Sequence, residues 1–265
     1  MISSKNIHAL VIAAPPQPTL EITSACIEAG KPVLATKPLI PKVPWPMPLR
    51  AAFYVDYVHL WSPCWRSLKQ ICLRHRIYSI SSSFHGQGPA RTFSPLLDYG
   101  SHALAMVHDL CPPCEEISFS SAKEISHEIS HEISPSHGIL TAATGKTTSG
   151  ITVKILTGNC LTKEHPEPTR KVEVTFLDGR KVTYEEKLPE RQDTGTTPPT
   201  GLLTFCKRHE RIPHDGLKGQ DPITALSKEF IDDIAEERAS PYLADLSYRV
   251  FASLRKIQRA VASGR

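Results

Sequence analysis

Two short apolar runs near the start of the chain, separated by one helical segment, constrain its fold most strongly. Residues 7–14 are mostly apolar and lead into two prolines, and residues 32–35 form a second apolar run. Between them, residues 19–29 carry apolar side chains at roughly helical spacing, and Gly30 stands where a helix commonly ends. A strand, a helix and a strand of this length form a βαβ unit, so we predict that the two strands are parallel.

The next part of the chain is predicted to alternate between strands and helices. Residues 40–48 contain four prolines, which excludes a helix there. Patterning then predicts a strand, a helix, a strand and a helix, which cover residues 51–60, 65–76, 77–84 and 96–110.

From residue 138 the hydrophobic period changes to two, which is typical of antiparallel strands with one buried face. Residues 172–176 alternate in this way, and Asp178-Gly179 separates them from a second alternating run at 182–184. Asp-Gly in this position predicts a hairpin. Two apolar stripes of helical period, at 223–234 and 246–261, follow near the end of the chain. A parallel α/β part and an antiparallel sheet with helices are two different architectures, so we predict two domains.

Composition and charge exclude several classes of protein. No stretch approaches the ~20 apolar residues of a transmembrane helix, and the first residues do not resemble a signal peptide, so a cytoplasmic location without membrane contact is expected. The net charge is only +4, from 31 basic and 27 acidic residues, and no basic face predicts nucleic-acid binding. The seven cysteines are an odd number, which favours reduced thiols.

Two pairs of potential metal ligands occur, and neither predicts a metal site. His127 and His131 lie in a threefold Glu-Ile-Ser repeat at 124–135, which we interpret as a solvated loop or helix in a surface connection. Cys111 and Cys114 form a single Cys-x-x-Cys pair, whereas a structural zinc site needs four ligands.

Three segments follow the order of motifs in one known family. Residues 11–39 contain Val-Ile-Ala-Ala-Pro-Pro, then Glu-Ala-Gly-Lys, then Ala-Thr-Lys-Pro-Leu. Residues 97–102 read Leu-Asp-Tyr-Gly-Ser-His, and residues 230–234 precede Pro241 and a final helix. These segments resemble the Ala-Thr-Pro-Pro, Glu-Lys-Pro and Asp-x-Gly-x-His motifs of the glucose–fructose oxidoreductase / inositol dehydrogenase / MocA (Gfo/Idh/MocA) family of NAD(P)-dependent oxidoreductases.

The resemblance implies hydride transfer between NAD or NADP and a sugar or polyol-like hydroxyl or carbonyl. It implies three catalytic residues that converge on one cleft: His102 as proton acceptor, Asp98 as its orienting group or a hydroxyl ligand, and Lys37 as the cation that stabilises an alkoxide. The residues it places at the cofactor are Ala14, Pro15, Pro16, Thr36, Lys37 and Pro38.

The same resemblance implies the fold class, α/β plus α+β. Residues 1–60 would be the remnant of a dinucleotide-binding Rossmann domain, a partial parallel sheet whose first half is missing. Residues 61–265 would form a substrate-binding and oligomerisation domain, with an antiparallel sheet and C-terminal helices. A homo-oligomer through that sheet is therefore expected.

One family motif is absent. The Gly-x-Gly-x-x-Gly turn that receives the pyrophosphate is not found, and the nearest string, His-Gly-Gln-Gly-Pro at 85–89, lacks the third glycine. The chain is expected to begin where the family has its fourth strand, which would leave residues 10–14 as an exposed edge strand. Cofactor binding is expected to be impaired. The alternative is a non-catalytic, truncated relative that serves as an oligomerisation or binding module.

Overall fold

The computed structural model describes residues 2, 4–41, 45, 49–86, 93–129, 136–162, 165, 167–187, 200–206 and 221–264. The strands within these residues are β1 Leu10–Ile12, β2 Val33–Ala35, β3 Phe53–Val55, β4 Ile77–His85, β5 Ile117–Ile129, β6 Ser136–Thr147, β7 Thr152–Gly158, β8 Thr169–Phe176, β9 Lys181–Lys187 and β10 Thr200–Cys206. The helices are α1 Pro16–Glu28, α2 Pro63–Cys72, α3 Pro95–Leu110, α4 Pro222–Ala235 and α5 Pro241–Ala262, with a 3₁₀ helix at Val58–Trp61.

Each of the five α-helices begins with a proline, and this explains part of the high proline content of the chain. The first residue of a helix has no intrahelical partner for its N–H, so proline costs nothing there, and its fixed φ suits the helix. The predicted helices therefore start slightly earlier than their apolar patterns indicated, as α1 does at Pro16. None of the described helices has both the length and the apolar character to cross a membrane.

The predicted βαβ unit is confirmed. Strands β1, β2 and β3 form a parallel sheet in that order, with Leu10 opposite Val33 and Leu34 opposite Tyr54, and α1 connects the first two strands. β1 lies at the edge of this sheet, where the side chain of Val11 is 70% exposed. β3 is shorter than predicted, because the 3₁₀ helix follows it after two residues.

The second sheet has seven described strands in the order β10-β9-β8-β4-β7-β6-β5. The predicted hairpin at Asp178-Gly179 joins β8 to β9, and Gly179 has a φ of +80°, which glycine adopts without strain. The predicted antiparallel sheet contains one parallel pairing. β4 enters the centre of this sheet and pairs antiparallel with β8 but parallel with β7, so the sheet is mixed.

Period-two patterning decides which face of this sheet is buried. Val153, Val174 and Val182 lie in one row with Ile80 between them, and all four are fully buried. The adjacent row is polar and turns away from the core. The helices α2, α3 and α5 pack around the buried side, and the apolar residues of both sheets belong to one continuous core.

The interpretation of the Glu-Ile-Ser repeat as a loop or helix is wrong for its first half. Residues 124–129 continue β5 and pair with β6, with Glu124 opposite Thr141. β5 is the last strand of the sheet, and charged and polar residues are common on edge strands because they discourage pairing with other chains. The remainder of the repeat, including His131, lies outside the described residues.

Gly158, at the end of β7, has no room for a side chain. A Cβ at Gly158 would lie 2.0 Å from the carbonyl oxygen of Ile139 and 2.8 Å from Cα of Leu140, both on the β6 backbone. We therefore expect Gly158→Ala to lower the free energy of unfolding by about 2 kcal/mol or more, because the two strands must separate. Urea unfolding measures this change. Lys154→Ala, an exposed position on the same strand, should change it by less than about 0.5 kcal/mol, and equal losses in both variants would contradict the prediction.

His108 is a buried histidine that should make the stability of the chain depend on pH. It lies on α3 with 1% of its surface exposed, Nε2 is 2.9 Å from Oγ of Ser253, and Nδ1 is buried without a hydrogen-bond partner. Burial, assisted by the positive charges of Arg249 and Lys256, lowers the pKa of His108 to about 3. The unfolded chain therefore takes up a proton below about pH 6.5 that the folded chain does not.

From this difference we expect His108 to remove about 2 kcal/mol of stability between pH 7 and pH 5. His108→Gln cannot take up the proton, so its free energy of unfolding should fall by about 2 kcal/mol less over the same interval. Chemical denaturation at both pH values measures the difference. Burial also lowers the pKa of His85, to about 4, so some pH dependence should remain in the variant. Identical pH dependence in both proteins would show that His108 does not stay neutral.

Candidate functional site

Polar residues follow the parallel strands β2 and β3 and lie at one edge of their sheet. Thr36 and Lys37 follow β2, and Asp56 follows β3. The backbone N–H of Thr36 donates to the carbonyl of Ile12 at 3.0 Å, and that of Asp56 donates to the carbonyl of Ala35 at 2.9 Å, so the strand ladder continues to this edge. Ligands of open α/β sheets bind outside the carboxyl ends of the strands, which makes this edge the expected place for a site.

Helix α3 brings the second set of residues to the same place. Ser94 caps the helix by accepting a hydrogen bond from the Leu96 N–H at 3.2 Å, and Asp98 lies in the first turn. Gly100 lets the helix approach closely, because a Cβ there would lie 3.2 Å from Leu254 on α5 and 3.3 Å from Thr157 on β7. This packing gives a physical role to the glycine of the Asp-x-Gly-x-His segment.

A cavity of about 340 Å³ lies where these elements meet. The three catalytic residues implied by the resemblance all line it, as their predicted convergence requires. The other lining residues come from the 3₁₀ helix, the second sheet and the start of α4: Val58, His59, Ser62, Phe84, Tyr99, Arg170, Tyr184, Glu186, Asp221, Pro222 and Ile223.

Lys37 and Asp98 form an ion pair across this cavity. Nζ of Lys37 contacts Oδ1 of Asp98 and donates to its backbone carbonyl at 3.3 Å, and the two side chains are 21% and 10% exposed. Ser101 also donates to the carbonyl of Asp98, at 2.9 Å, which helps hold this turn of α3. Lys37 faces a second carboxyl group at Asp56, whose pKa is raised by burial and lowered in part by Lys37 and His59.

His102 lies one turn after Asp98 and is surrounded by aromatic rings. Its ring centroid is 4.7 Å from that of His59 and 6.5 Å from those of Tyr57 and Phe84. Nδ1 of His102 is buried without a hydrogen-bond partner. Burial, together with nearby positive charge, lowers the pKa of His102 well below its usual value. The imidazole is therefore neutral near pH 7 and can accept a hydrogen bond, but it is a weak base.

Sequence analysis did not identify three polar residues of the cavity, which are His59, Arg170 and Glu186. Glu186 lies with Oε2 3.0 Å from Nδ1 of His59, and its Oε1 is 3.6 Å from a guanidinium nitrogen of Arg170. Burial by itself raises the pKa of Glu186, but His59 and Arg170 outweigh it and hold that pKa below its usual value. Period-two patterning could have indicated Glu186 as a buried residue, because it continues the inward-facing alternation of Val182 and Tyr184.

The residues that the family resemblance places at the cofactor are poorly suited to bind a phosphate. Ala14, Pro15 and Pro16 form the turn between β1 and α1, with Pro15 at the cap position of the helix. Pro16 and Pro18 have no backbone N–H, so the first turn of α1 offers few donors to an anion. Thr36 and Pro38 flank Lys37 beyond β2, and of the six residues only Lys37 lines the cavity. The described residues therefore do not fit the pyrophosphate of a dinucleotide at this first βα turn.

Neither cysteine-based nor histidine-based metal binding is indicated by the described residues. Within them, no group of three or more histidine, cysteine or acidic side chains is arranged to hold an ion. Cys111 is a buried free thiol, and Cys114 is an exposed one.

No protein-family model matches the sequence, and no curated protein does. Several solved structures share the fold. An aldose-aldose oxidoreductase from Caulobacter crescentus, complexed with glycerol, has 11% identity and a TM-score of 0.69, over 100% of this chain and 80% of that one. The 3-ketoreductase KijD10 from Actinomadura kijaniata, in complex with TDP-benzene and NADP, has 16% identity and a TM-score of 0.67, over 99% and 79%. The UDP-N-acetylglucosamine 3-dehydrogenase GnnA from Acidithiobacillus ferrooxidans has 13% identity and a TM-score of 0.64, over 97% and 80%.

These neighbours are oxidoreductases of the type that the three sequence segments resemble, so the resemblance is confirmed at the level of the fold. The predicted class, α/β plus α+β with a Rossmann-type parallel sheet and a second sheet with helices, is confirmed with it. At these low sequence identities, the similarity shows a shared fold and does not establish a shared activity.

Removing the carboxylate of the Lys37–Asp98 pair should destabilise the chain. Asp98→Asn leaves the Lys37 ammonium without its partner in a largely buried position, and we expect a loss of about 2 kcal/mol in the free energy of unfolding. The matched control is Asp232→Asn, which removes the exposed partner of Lys228 on α4 and should cost less than about 0.5 kcal/mol. Urea unfolding compares the two. A loss in Asp98→Asn no larger than in the control would contradict a structural role for the pair.

Proposed function

We propose that this chain is a member of the Gfo/Idh/MocA oxidoreductase family and that its cavity binds a sugar or polyol-like molecule through a hydroxyl or carbonyl oxygen. The observation that carries the proposal is the meeting of Lys37 and Asp98, from separate parts of the chain, in a cavity that His102 also lines. A volume of about 340 Å³ lies at the small end of the usual range for ligand pockets, which suits one sugar-sized molecule.

The chemistry of these side chains supports a hydroxyl-bearing ligand. The Lys37 ammonium can stabilise negative charge that develops on a substrate oxygen. Asp98 keeps that ammonium in place and can accept a hydrogen bond from a neighbouring hydroxyl. His102, as a neutral imidazole, can accept a further one. Together they offer one donor and two acceptors, which matches the alternating hydroxyl groups of a sugar or polyol.

The reaction proposed for this fold is hydride transfer with NAD or NADP, as the resemblance implies. KijD10, with the same fold, is described in complex with NADP. In this chain, however, the sequence lacks Gly-x-Gly-x-x-Gly and the first βα turn is rich in proline. We therefore propose that dinucleotide binding by this chain alone is impaired.

The domain division is part of the proposal. Residues 1–60 would belong to the dinucleotide-binding domain, and residues 61–265 would bind the substrate and serve in oligomerisation. The catalytic roles of Lys37, Asp98 and His102, the cofactor contacts from Ala14 to Pro16 and from Thr36 to Pro38, and a cytoplasmic location are proposed with it.

Two titrations of the purified chain test the function. We expect myo-inositol or glucose to bind, measured by calorimetry, and Lys37→Met to lose most of that affinity because the cation that contacts the oxygen is gone. We also expect nicotinamide fluorescence to show no saturable binding of NADH or NADPH below about 1 mM, a limit that corresponds to about −4 kcal/mol of binding free energy.

The outcomes separate the alternatives. Absence of binding to either sugar probe would contradict the proposed substrate class and support a non-catalytic oligomerisation or binding module. Saturable, tight binding of NADPH would contradict the impairment and support an active enzyme.

A further inference from the structure

His59 and Glu186 form a buried pair that the family resemblance does not account for. His59 belongs to the 3₁₀ helix at Val58–Trp61, and Glu186 belongs to β9. Nδ1 of His59 is 3.0 Å from Oε2 of Glu186, and the two residues are 6% and 8% exposed. Both line the same cavity as Lys37 and His102, so the pair lies where a substrate would bind.

The position of the Glu186 carboxylate favours a proton on one nitrogen of His59. Oε2 of Glu186 is buried and lies 3.0 Å from Nδ1 of His59, although the two atoms do not have the geometry of a hydrogen bond. An ionised carboxylate only accepts hydrogen bonds, so it favours the tautomer of His59 with a proton on Nδ1. Nε2 is then the unprotonated nitrogen, and it can accept a proton or a hydrogen bond.

His102 lacks such support. Its Nδ1 is buried without a partner, and its ring stands edge-to-face against that of His59, with 4.7 Å between the centroids and 81° between the planes. A positive charge on one of these rings disfavours a positive charge on the other. Among the described residues, a carboxylate oxygen lies 3.0 Å from a ring nitrogen of His59, whereas the buried Nδ1 of His102 has no hydrogen-bond partner.

Other charged groups lie near this pair of imidazoles, on several of the elements around the cavity. They are Lys37 after β2, Asp56 after β3, Asp98 on α3, Arg170 on β8 and Asp221 at the start of α4. Lys37 is compensated by Asp98, and Arg170 lies beside Glu186. The direct contact of His59 with Glu186 therefore remains the main feature that distinguishes His59 from His102.

We propose that His59, oriented by Glu186, rather than His102, is the group that accepts the hydrogen bond and the proton of the substrate hydroxyl in this cavity. This inference rests on the proposed function and changes one role within it, because the proton that the resemblance assigns to His102 goes to His59 instead. In the step, the substrate O–H bond breaks, an N–H bond forms at Nε2 of His59, and the negative charge that remains on oxygen faces the Lys37 ammonium. The imidazolium is stabilised by Glu186, and His102 acts as a positioning residue that packs against the His59 ring.

The first test measures directly which ring nitrogen of His59 is protonated. Long-range ¹H–¹⁵N correlation spectra of the labelled chain should show His59 protonated on Nδ1 near pH 7. Glu186→Gln should shift His59 toward the tautomer with its proton on Nε2, because the carboxylate that favours a proton on Nδ1 is gone. The matched control, Glu185→Gln, changes an exposed neighbour on β9 and should leave the tautomer unaltered. A proton on Nε2 of His59 in the wild-type chain, or an unchanged His59 tautomer in Glu186→Gln, would overturn the inference.

The second test reads ligand binding. Addition of myo-inositol should shift the Nε2 resonance of His59 more than either nitrogen of His102. In calorimetry, His59→Gln should weaken myo-inositol binding about tenfold, as expected for one lost hydrogen bond, and His102→Gln should weaken it less. The reverse order of effects would overturn the inference. The measurements on the wild-type chain decide the matter if a variant does not fold.

Failure of the inference can be distinguished from failure of the proposed function. If the wild-type chain binds neither myo-inositol nor glucose, the proposed substrate class is wrong, and the role of His59 toward a hydroxyl fails with it. If a probe binds but His102 is the ring that responds, the proposed function stands and only the assignment to His59 is wrong.

Discussion

The close packing of α3 against β7 and α5 is the interaction on which the candidate site depends. Gly100 permits this approach, because even a methyl group there would crowd Leu254 and Thr157. With one face of the helix fixed in this way, its first turn reaches the carboxyl edge of the parallel sheet, where Asp98 meets Lys37. The two sheets therefore share one core, and the cavity lies at the place where the helix bridges them.

Charge compensation then determines what the cavity can do. In the cavity, Lys37 is paired with Asp98, and Glu186 lies beside Arg170 and the ring of His59. Such pairs offset the cost of removing charges from water only when the geometry is good, and loss of one member leaves the other uncompensated. The unpaired imidazole of His102 stays neutral in this setting. One ring of the histidine pair, that of His59, therefore lies beside a carboxylate, whereas the buried Nδ1 of His102 has no partner.

Local patterns predicted those parts of the fold that depend on neighbouring residues. The βαβ unit was predicted because two apolar runs flank one helical segment, and the β8–β9 hairpin because Asp178-Gly179 separates two alternating runs. The same approach failed for residues 124–129, whose polar composition gave no sign of a strand. Their strand depends on pairing with β6, and a polar edge strand cannot be distinguished from a loop by composition.

By itself, the sequence determined the periodicity of its strands and helices, the absence of Gly-x-Gly-x-x-Gly, and the two segments that contain Lys37 and the Asp98–His102 turn. Only the tertiary structure decided that β4 enters the second sheet and that His59 meets Glu186. Period and motif are properties of nearby residues, whereas this meeting depends on how a 3₁₀ helix after β3 packs against the far end of a later hairpin. No local sequence pattern encodes the distance between His59 and Glu186, because it is set by the shared core of the two sheets.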